Sequence, residues 1–432
     1  MGRDARVKIG LACAGGVVEG AFYEVGVLCA LEDSIARLDL NRLDVYVGVS
    51  AGAILTACLA NGIPAHTISR AMVSQADPLL NLRPEILFTP ALGEYAQRLA
   101  RLPATVAGSL RRYLLRPFDI SLFGAVAELG SALPLGFFDN RPIERYLARI
   151  FSVAGRTNDF RELRAELRVV AVNLDSSELV SFGDAATAHV PISRAVQASA
   201  ALPILYTPVQ IEGQYYIDGV ARRTLHASEA LSEGVDLLFC VNPIVPVDMH
   251  LLNEDEAEEH FPKSLVEKGL PAVLSQTFRT MIHSRMITAF KNYEHVFPDA
   301  DVVLIQPELN DHRMFFSNIL SFSNRYHITE HAYQSTRRYL AQEATRLRPV
   351  LERHGLELRR DALRDPEHLL FPGVTSPPDL VGPALAAARE PDATGTGDAL
   401  TRLDGALSRL ARALEPHPHG NGGPPPIPRA AD

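Results

Sequence analysis

The chain has 432 residues, is 47% hydrophobic and carries a formal net charge of −9 at pH 7. That length and apolar content allow a substantial core in one large or two medium domains, and the acidic balance excludes general nucleic-acid binding, which needs a basic surface to neutralise phosphates. The four cysteines, Cys13, Cys29, Cys58 and Cys240, stand in apolar surroundings without Cys-x-x-Cys spacing. They read as reduced core residues, with no metal site implied and a cytoplasmic location expected.

Met1 to Lys8 is rich in charge and Ile9 to Val18 is weakly apolar, as in a signal peptide, but the run is short and glycine-interrupted, so none is expected. Arg6 stands where a myristoylation signal needs Ser or Thr, and no apolar run reaches the roughly 18 residues of a spanning helix. Any membrane contact is expected to be peripheral.

Val7 to Ala12 predicts a first strand. The loop Ala14-Gly15-Gly16-Val17-Val18-Glu19-Gly20 follows, then a helix over Ala21 to Asp33 with Phe22, Val25, Leu28 and Leu31 on its buried face. Three uses of a glycine loop before a helix can be compared. A dinucleotide site lacks Gly-x-Gly-x-x-Gly, and a phosphate loop lacks the Gly-Lys-Ser/Thr ending. An oxyanion hole made by backbone N–H groups of Gly15, Gly16 and Val17 fits the pattern, with a plain structural turn as its rival.

The next strand, Val45 to Val47, breaks at Gly48-Val49-Ser50-Ala51-Gly52 before a helix from Ala53 to Asn61. Gly-x-Ser-x-Gly at a strand-to-helix turn is the nucleophile-elbow pattern: the small residues Gly48 and Gly52 let the backbone bend sharply and present the Ser50 hydroxyl above the sheet. The bland alternative is a tight turn.

Prolines divide Ile68 to Leu135 into short pieces, among them helices expected at Leu92 to Leu102 and Val106 to Leu115. Arg98 to Arg116 holds five arginines and no acid between leucines. It reads either as a solvated face of a helical cap or as a surface touching anionic lipid. Beyond it the pattern predicts a helix Ile143 to Phe151, a strand Leu167 to Leu174 with a hairpin mate Glu178 to Phe182, and a small-residue helix Ser193 to Leu202 ended by Pro203. Further strands are expected at Gln214 to Ile217, Leu237 to Val241 and Val302 to Ile305. Long helices are expected at Ser264 to Tyr293 and His327 to Arg353.

The division that follows is one large domain, residues 1–370, with a helical insertion at 78–135, and a tail at 371–432. The tail is rich in Pro, Gly, Ala and Thr and reads as disordered apart from one amphipathic helix near 398–414.

A serine hydroxyl needs a base. No histidine has a distinctive strand-to-loop context, whereas Asp218 ends a short apolar strand and Gly219 lets the chain turn away. A partly desolvated carboxylate can serve as that base; an ordinary Asp-Gly turn is the competing reading.

Taken together, Gly15, Gly16 and Gly20, the elbow Gly48 to Gly52, and Asp218-Gly219 resemble the patatin-like phospholipase family, from about Val7 to Val241. The resemblance implies a three-layer α/β/α sandwich with a mainly parallel sheet and a Ser50–Asp218 dyad without histidine. It further implies an oxyanion hole in the Gly15 to Val17 loop, a lipid or phospholipid ester as substrate, and no cofactor. The alternatives are a Ser-His-Asp esterase or a catalytically weak lipid-binding relative. Three residues depart from the family pattern: Val17 replaces a glycine, Glu19 an Arg or Lys, and Val220 a small residue. Glu19 is expected to point away from the oxyanion, in a first helical turn that favours negative charge.

Overall fold

The computed structural model describes residues 6–74, 79–95, 135–251, 264–311, 314, 322–365 and 368–372. The Arg98 to Arg116 segment, most of the expected insertion helices and the helix expected near 398–414 lie outside these residues. Residues 1–373 form one compact unit.

The strands are β1 (Ile9–Cys13), β2 (Ile35–Ala36), β3 (Val45–Val49), β4 (Gly136–Phe138), β5 (Glu166–Asn173), β6 (Leu179–Phe182), β7 (Ile204–Tyr206), β8 (Val209–Ile211), β9 (Gln214–Asp218), β10 (Leu237–Val241), β11 (Asp301–Ile305) and β12 (Glu357–Leu358). The main sheet runs β11-β10-β1-β3-β5-β9-β8, with β6 on β5, while β2–β12 and β4–β7 form two small separate pairs. The five strands β11, β10, β1, β3 and β5 are mutually parallel, and β6, β8 and β9 join antiparallel. The parallel centre follows from its sequence: β1, β3 and β10 are almost continuously apolar and buried, as strands covered by helices on both faces must be.

The covering helices are α1 (Val17–Ser34), α2 (Ala51–Ala60), α3 (Ala65–Val73), α4 (Pro84–Leu87), α5 (Arg141–Phe151), α6 (Ile192–Ser199), α7 (Ala227–Ser232), α8 (Leu270–Val296), α9 (Arg325–Gln342) and α10 (Ala344–Arg353). The expected α/β architecture is the observed one. Two long helices differ from their sequence patterns. The one expected from Ser264 starts at Leu270, because Gly269 at φ +74° separates it from a 3-10 turn at Leu265–Lys268. His327 to Arg353 is two helices that part at Glu343, which ends one and begins the next. All four cysteines are buried and free.

Candidate active site

Ser50 sits between β3 and α2 with φ +53° and ψ −118°. A left-handed φ in a residue bearing a Cβ costs about 1–3 kcal/mol and persists only where the surroundings impose it. The surroundings here are close. A Cβ on Gly48 would lie 2.2 Å from Thr56 Oγ1 and 2.4 Å from Ala53 Cα, and one on Gly52 would lie 2.5 Å from the carbonyl oxygens of both Cys13 and Ala14. The Gly52 N–H donates to the Ala14 carbonyl at 3.1 Å, tying the elbow to the end of β1. The Ser50 N–H donates to Ser199 Oγ at 2.8 Å, and the Ser199 hydroxyl donates to the Val170 carbonyl at 2.6 Å. Ser199 ends α6, the small-residue helix of the sequence; nothing in its local pattern marks it as the residue that holds the elbow.

Asp218 is the last residue of β9 and is buried. Its N–H donates to the Ala201 carbonyl at 3.0 Å, and its Oδ1 accepts the Val220 N–H at 2.9 Å, closing the turn that sends the chain away. Gly219 is needed for close approach, since a Cβ there would lie 2.6 Å from the Val170 carbonyl oxygen. Burial pushes the Asp218 carboxyl from 3.8 up to about 7, while the nearby Ser50 hydroxyl and the Val220 N–H favour its charged form. Oδ2 makes no hydrogen bond of full geometry. The Ser50 hydroxyl is near enough to favour the charged carboxylate without closing such a bond.

His226 lies next to this turn and is buried. Its Nε2 is 3.4 Å from the Gly219 carbonyl oxygen, and burial pulls its pKa down to about 4, so it is neutral at ordinary pH. Among the described residues no histidine hydrogen-bonds the Asp218 carboxylate.

The glycine loop faces the elbow. A Cβ on Gly15 would lie 2.2 Å from Val220 Cγ2 and 3.1 Å from Ser50 Cβ, so only glycine lets the loop come this close. The Gly15 N–H already donates to the Thr224 carbonyl at 3.1 Å. The Gly16 and Val17 N–H groups stand at the start of α1, where helix geometry leaves donors without intrahelical partners. Val17 has φ +56°, a conformation that glycine takes freely and a β-branched residue resists.

A model of the family described as patatin-like phospholipase matches residues 11–231, just over half of the chain. The chain belongs to the patatin-like phospholipase family. No curated protein matches it. Solved structures similar to this patatin-like chain include VipD from Legionella pneumophila, at 17% identity and TM-score 0.28, covering 57% of this chain and 51% of VipD. The type III effector ExoU, which occurs in Pseudomonas aeruginosa, is 18% identical with TM-score 0.32, covering 78% of this chain and 53% of ExoU. Human GIVD cytosolic phospholipase A2, in complex with methyl gamma-linolenyl fluorophosphonate, is 13% identical with TM-score 0.20, covering 56% and 40%. The patatin-like chain spans about half the length of VipD and of ExoU.

From Ser50 the patatin-like domain opens into a narrow, apolar-lined cavity. Its floor is the α2 face carrying Ala51, Ile54, Leu55 and Cys58, and its walls include Ile68 and Met72 of α3 and Ile143 and Tyr146 of α5. The phenol oxygens that reach this region are engaged elsewhere: Tyr146 donates to the Leu80 carbonyl at 2.6 Å and Tyr206 to the Leu87 carbonyl at 2.9 Å. Apart from Ser50 and backbone groups, the lining therefore offers a ligand mainly carbon and sulfur, and no charged side chain.

Glu19 is not among the residues lining this cavity. It is buried in the first turn of α1, and its charge faces the Arg279 guanidinium of α8, which donates to the Val245 carbonyl at 3.2 Å. Glu19 thus has both the positive end of α1 and the Arg279 guanidinium on its side.

Proposed function

We propose that this patatin-like protein hydrolyses acyl esters of lipids through an acyl-enzyme, with Ser50 as nucleophile and Asp218 as base. The observation that carries this reading is the meeting of three features at one point: a serine in a strained elbow, a buried carboxyl shifted to about 7 beside it, and an uncharged apolar cavity opening from it. A carboxylate titrating near neutrality can accept the hydroxyl proton as Ser50 attacks the ester carbonyl and return it to the departing alcohol; water then repeats the sequence on the acyl-enzyme. The N–H groups of Gly16 and Val17, at the positive end of α1, suit the developing oxyanion, while Gly15 supplies close packing with its own N–H committed to Thr224. The apolar cavity suits an acyl chain, which needs desolvation and no hydrogen bonds.

The test is labelling with a fluorophosphonate serine probe, alongside acyl-ester turnover, for the parent, Ser50→Ala and Asp218→Asn. Both variants are expected to lose turnover, and Ser50→Ala to lose labelling altogether. Turnover persisting in Ser50→Ala overturns the proposal; turnover persisting in Asp218→Asn, and lost on replacing His226 or another histidine, replaces the dyad with a histidine-based mechanism.

A further inference from the structure

Helix α8 has two apolar faces, and one of them is uncovered. Ile282, Met286 and Tyr293 are buried, Ile282 and Tyr293 within the core cluster that backs the sheet. On the opposite side Leu270, Leu274, Phe278 and Met281 follow one another at helical spacing yet are 69%, 59%, 46% and 53% exposed. Val266, in the turn before, is 75% exposed. Isolated exposed apolar residues are ordinary, whereas a continuous stripe marks an interaction surface.

The stripe lies on the sheet edge that carries Ser50. Helix α8 links β10, whose last residue Val241 is level with Cys13 at the end of β1, to the start of β11, where Asp301 opposes Leu237. It therefore runs from the edge with the elbow and the glycine loop to the opposite edge. Gln276 fixes its height: Oε1 accepts the Val247 N–H at 3.1 Å and Nε2 donates to the Val247 carbonyl at 2.6 Å, past the end of β10. Arg279, one turn on, feels the charge of Glu19 in the first turn of α1. Leu270 lies a further nine residues toward the start of the helix, about 14 Å along its axis from Arg279 for a rise of 1.5 Å per residue.

Charge on this element also departs from that of the chain. Between Gly269 and Tyr293 there is no Asp or Glu, in a protein of net charge −9, while Arg285 and Lys291 are exposed. A helix with an uncovered apolar stripe and exposed cations, whose one acid, Glu294, lies in its last turn away from the stripe, has the composition of one that lies in a bilayer interface. No helix among the described residues is long and apolar enough to cross a membrane.

We propose that the exposed stripe of α8 is a docking surface for an anionic phospholipid bilayer, seating the Ser50 edge of the domain against lipid. The choice of lipid over a protein partner rests on the lipid-hydrolase reading; the surface itself does not. The test uses the full chain carrying Ser50→Ala, so that vesicles stay intact, and measures co-sedimentation with phosphatidylcholine–phosphatidylglycerol vesicles. Replacing Leu270, Leu274 and Phe278 together by Gln is expected to weaken partitioning by about tenfold or more, since each loses an apolar side chain from the contact. The melting temperature should hold, because these side chains are exposed. Arg285→Glu with Lys291→Glu is expected to lower binding only when phosphatidylglycerol is present. Unchanged partitioning of the triple variant overturns the proposal, as does a parent dimer in light scattering that the triple variant dissolves. Probe labelling of Ser50 in the otherwise unmodified chain, without vesicles, judges the catalytic reading separately: absent labelling with stripe-dependent binding sinks that reading and leaves the docking surface standing.

Discussion

Val49 and Asp218 occupy consecutive positions along one edge of β5: Val49 opposes Val170, and Asp218 opposes Ala171. Strand β6 takes the other edge at both places, pairing Ser181 with Val170 and Val180 with Ala171. Strands β3 and β9, running in opposite directions, therefore meet end to end on the same edge. The residue after Val49 is Ser50. A parallel strand that stops and an antiparallel strand that arrives bring the hydroxyl and the carboxyl together, and each chain must turn away at once. That is why a glycine follows the acid and flanks the serine.

The Asp218 carboxyl gives the clearest pH signature. Held at about 7 when folded and 3.8 otherwise, it keeps its proton in the native state where the unfolded chain has lost it. Any stability it confers is therefore present below 3.8 and is lost as pH rises through 7, a difference on the order of 4 kcal/mol. Acyl-ester turnover is expected to rise with pH to a plateau above 7. Asp218→Asn should abolish turnover and raise the melting temperature more at pH 8 than at pH 5, measured by thermal unfolding at the two pH values.

Ser199 touches no reacting atom, yet its hydroxyl accepts the Ser50 N–H and passes the bond to Val170. Ser199→Ala leaves that buried N–H without an acceptor, at a cost of about 1–3 kcal/mol. The expected result is a lower melting temperature together with slower fluorophosphonate labelling of Ser50. Labelling at the parental rate would separate the elbow from its support.

Val17 and Val18 are adjacent but opposite cases. Val17 has φ +56°, and Val18 lies within the regular helix and is buried. Relief of roughly 1–3 kcal/mol of strain offsets the entropy cost of glycine at the first position. At the second, glycine only removes packing and helix propensity. Thermal unfolding is expected to show Val17→Gly equal to or above the parent and Val18→Gly well below it.

The buried charges of Glu19 and Arg279 face each other. Neutralising either one removes their mutual attraction, which a double-variant cycle isolates from the other contacts each makes. Glu19→Gln and Arg279→Met should each lower stability in denaturant titrations, and the double variant should lose less than the two single losses added together. Additive losses would show that the two charges do not act as a pair.

The cavity predicts a length preference. From Ser50 to Cys58 is two turns of α2, about 12 Å, close to the roughly 15 Å of hydrocarbon in one leaflet of a bilayer. Ile54→Trp fills the middle of that path. Relative to the parent, kcat/KM for long-chain esters should fall by about tenfold or more while short-chain esters are spared, read from a series of esters differing only in acyl length.

Much of the fold was legible because it is written in local patterns. Val45 to Val47 is apolar enough to be a buried strand, which in the structure runs on to Val49, and Gly-Val-Ser-Ala-Gly signals a sharp turn wherever it occurs between strand and helix. Leu237 to Val241 emerges with the bounds its apolar run implies. Boundaries failed where a single residue decided them, as at Gly269 and Glu343. Helix α3 and the short strands β4 and β7 escaped notice, because each is too brief to show a period.

The sequence by itself determined which residues have the chemistry: a serine between glycines, a carboxylate at a strand end, and a glycine loop before a helix. Only the tertiary structure decided how they are placed. Burial sets the Asp218 pKa, and the pairing of two strands on one edge of β5 brings it to Ser50. The Thr224 carbonyl removes Gly15 from the available donors, Ser199 reaches the elbow from a helix far along the chain, and Arg279 answers the charge of Glu19. These relations join residues far apart in sequence through packing and desolvation, which depend on where chain segments meet and leave no mark on a local pattern.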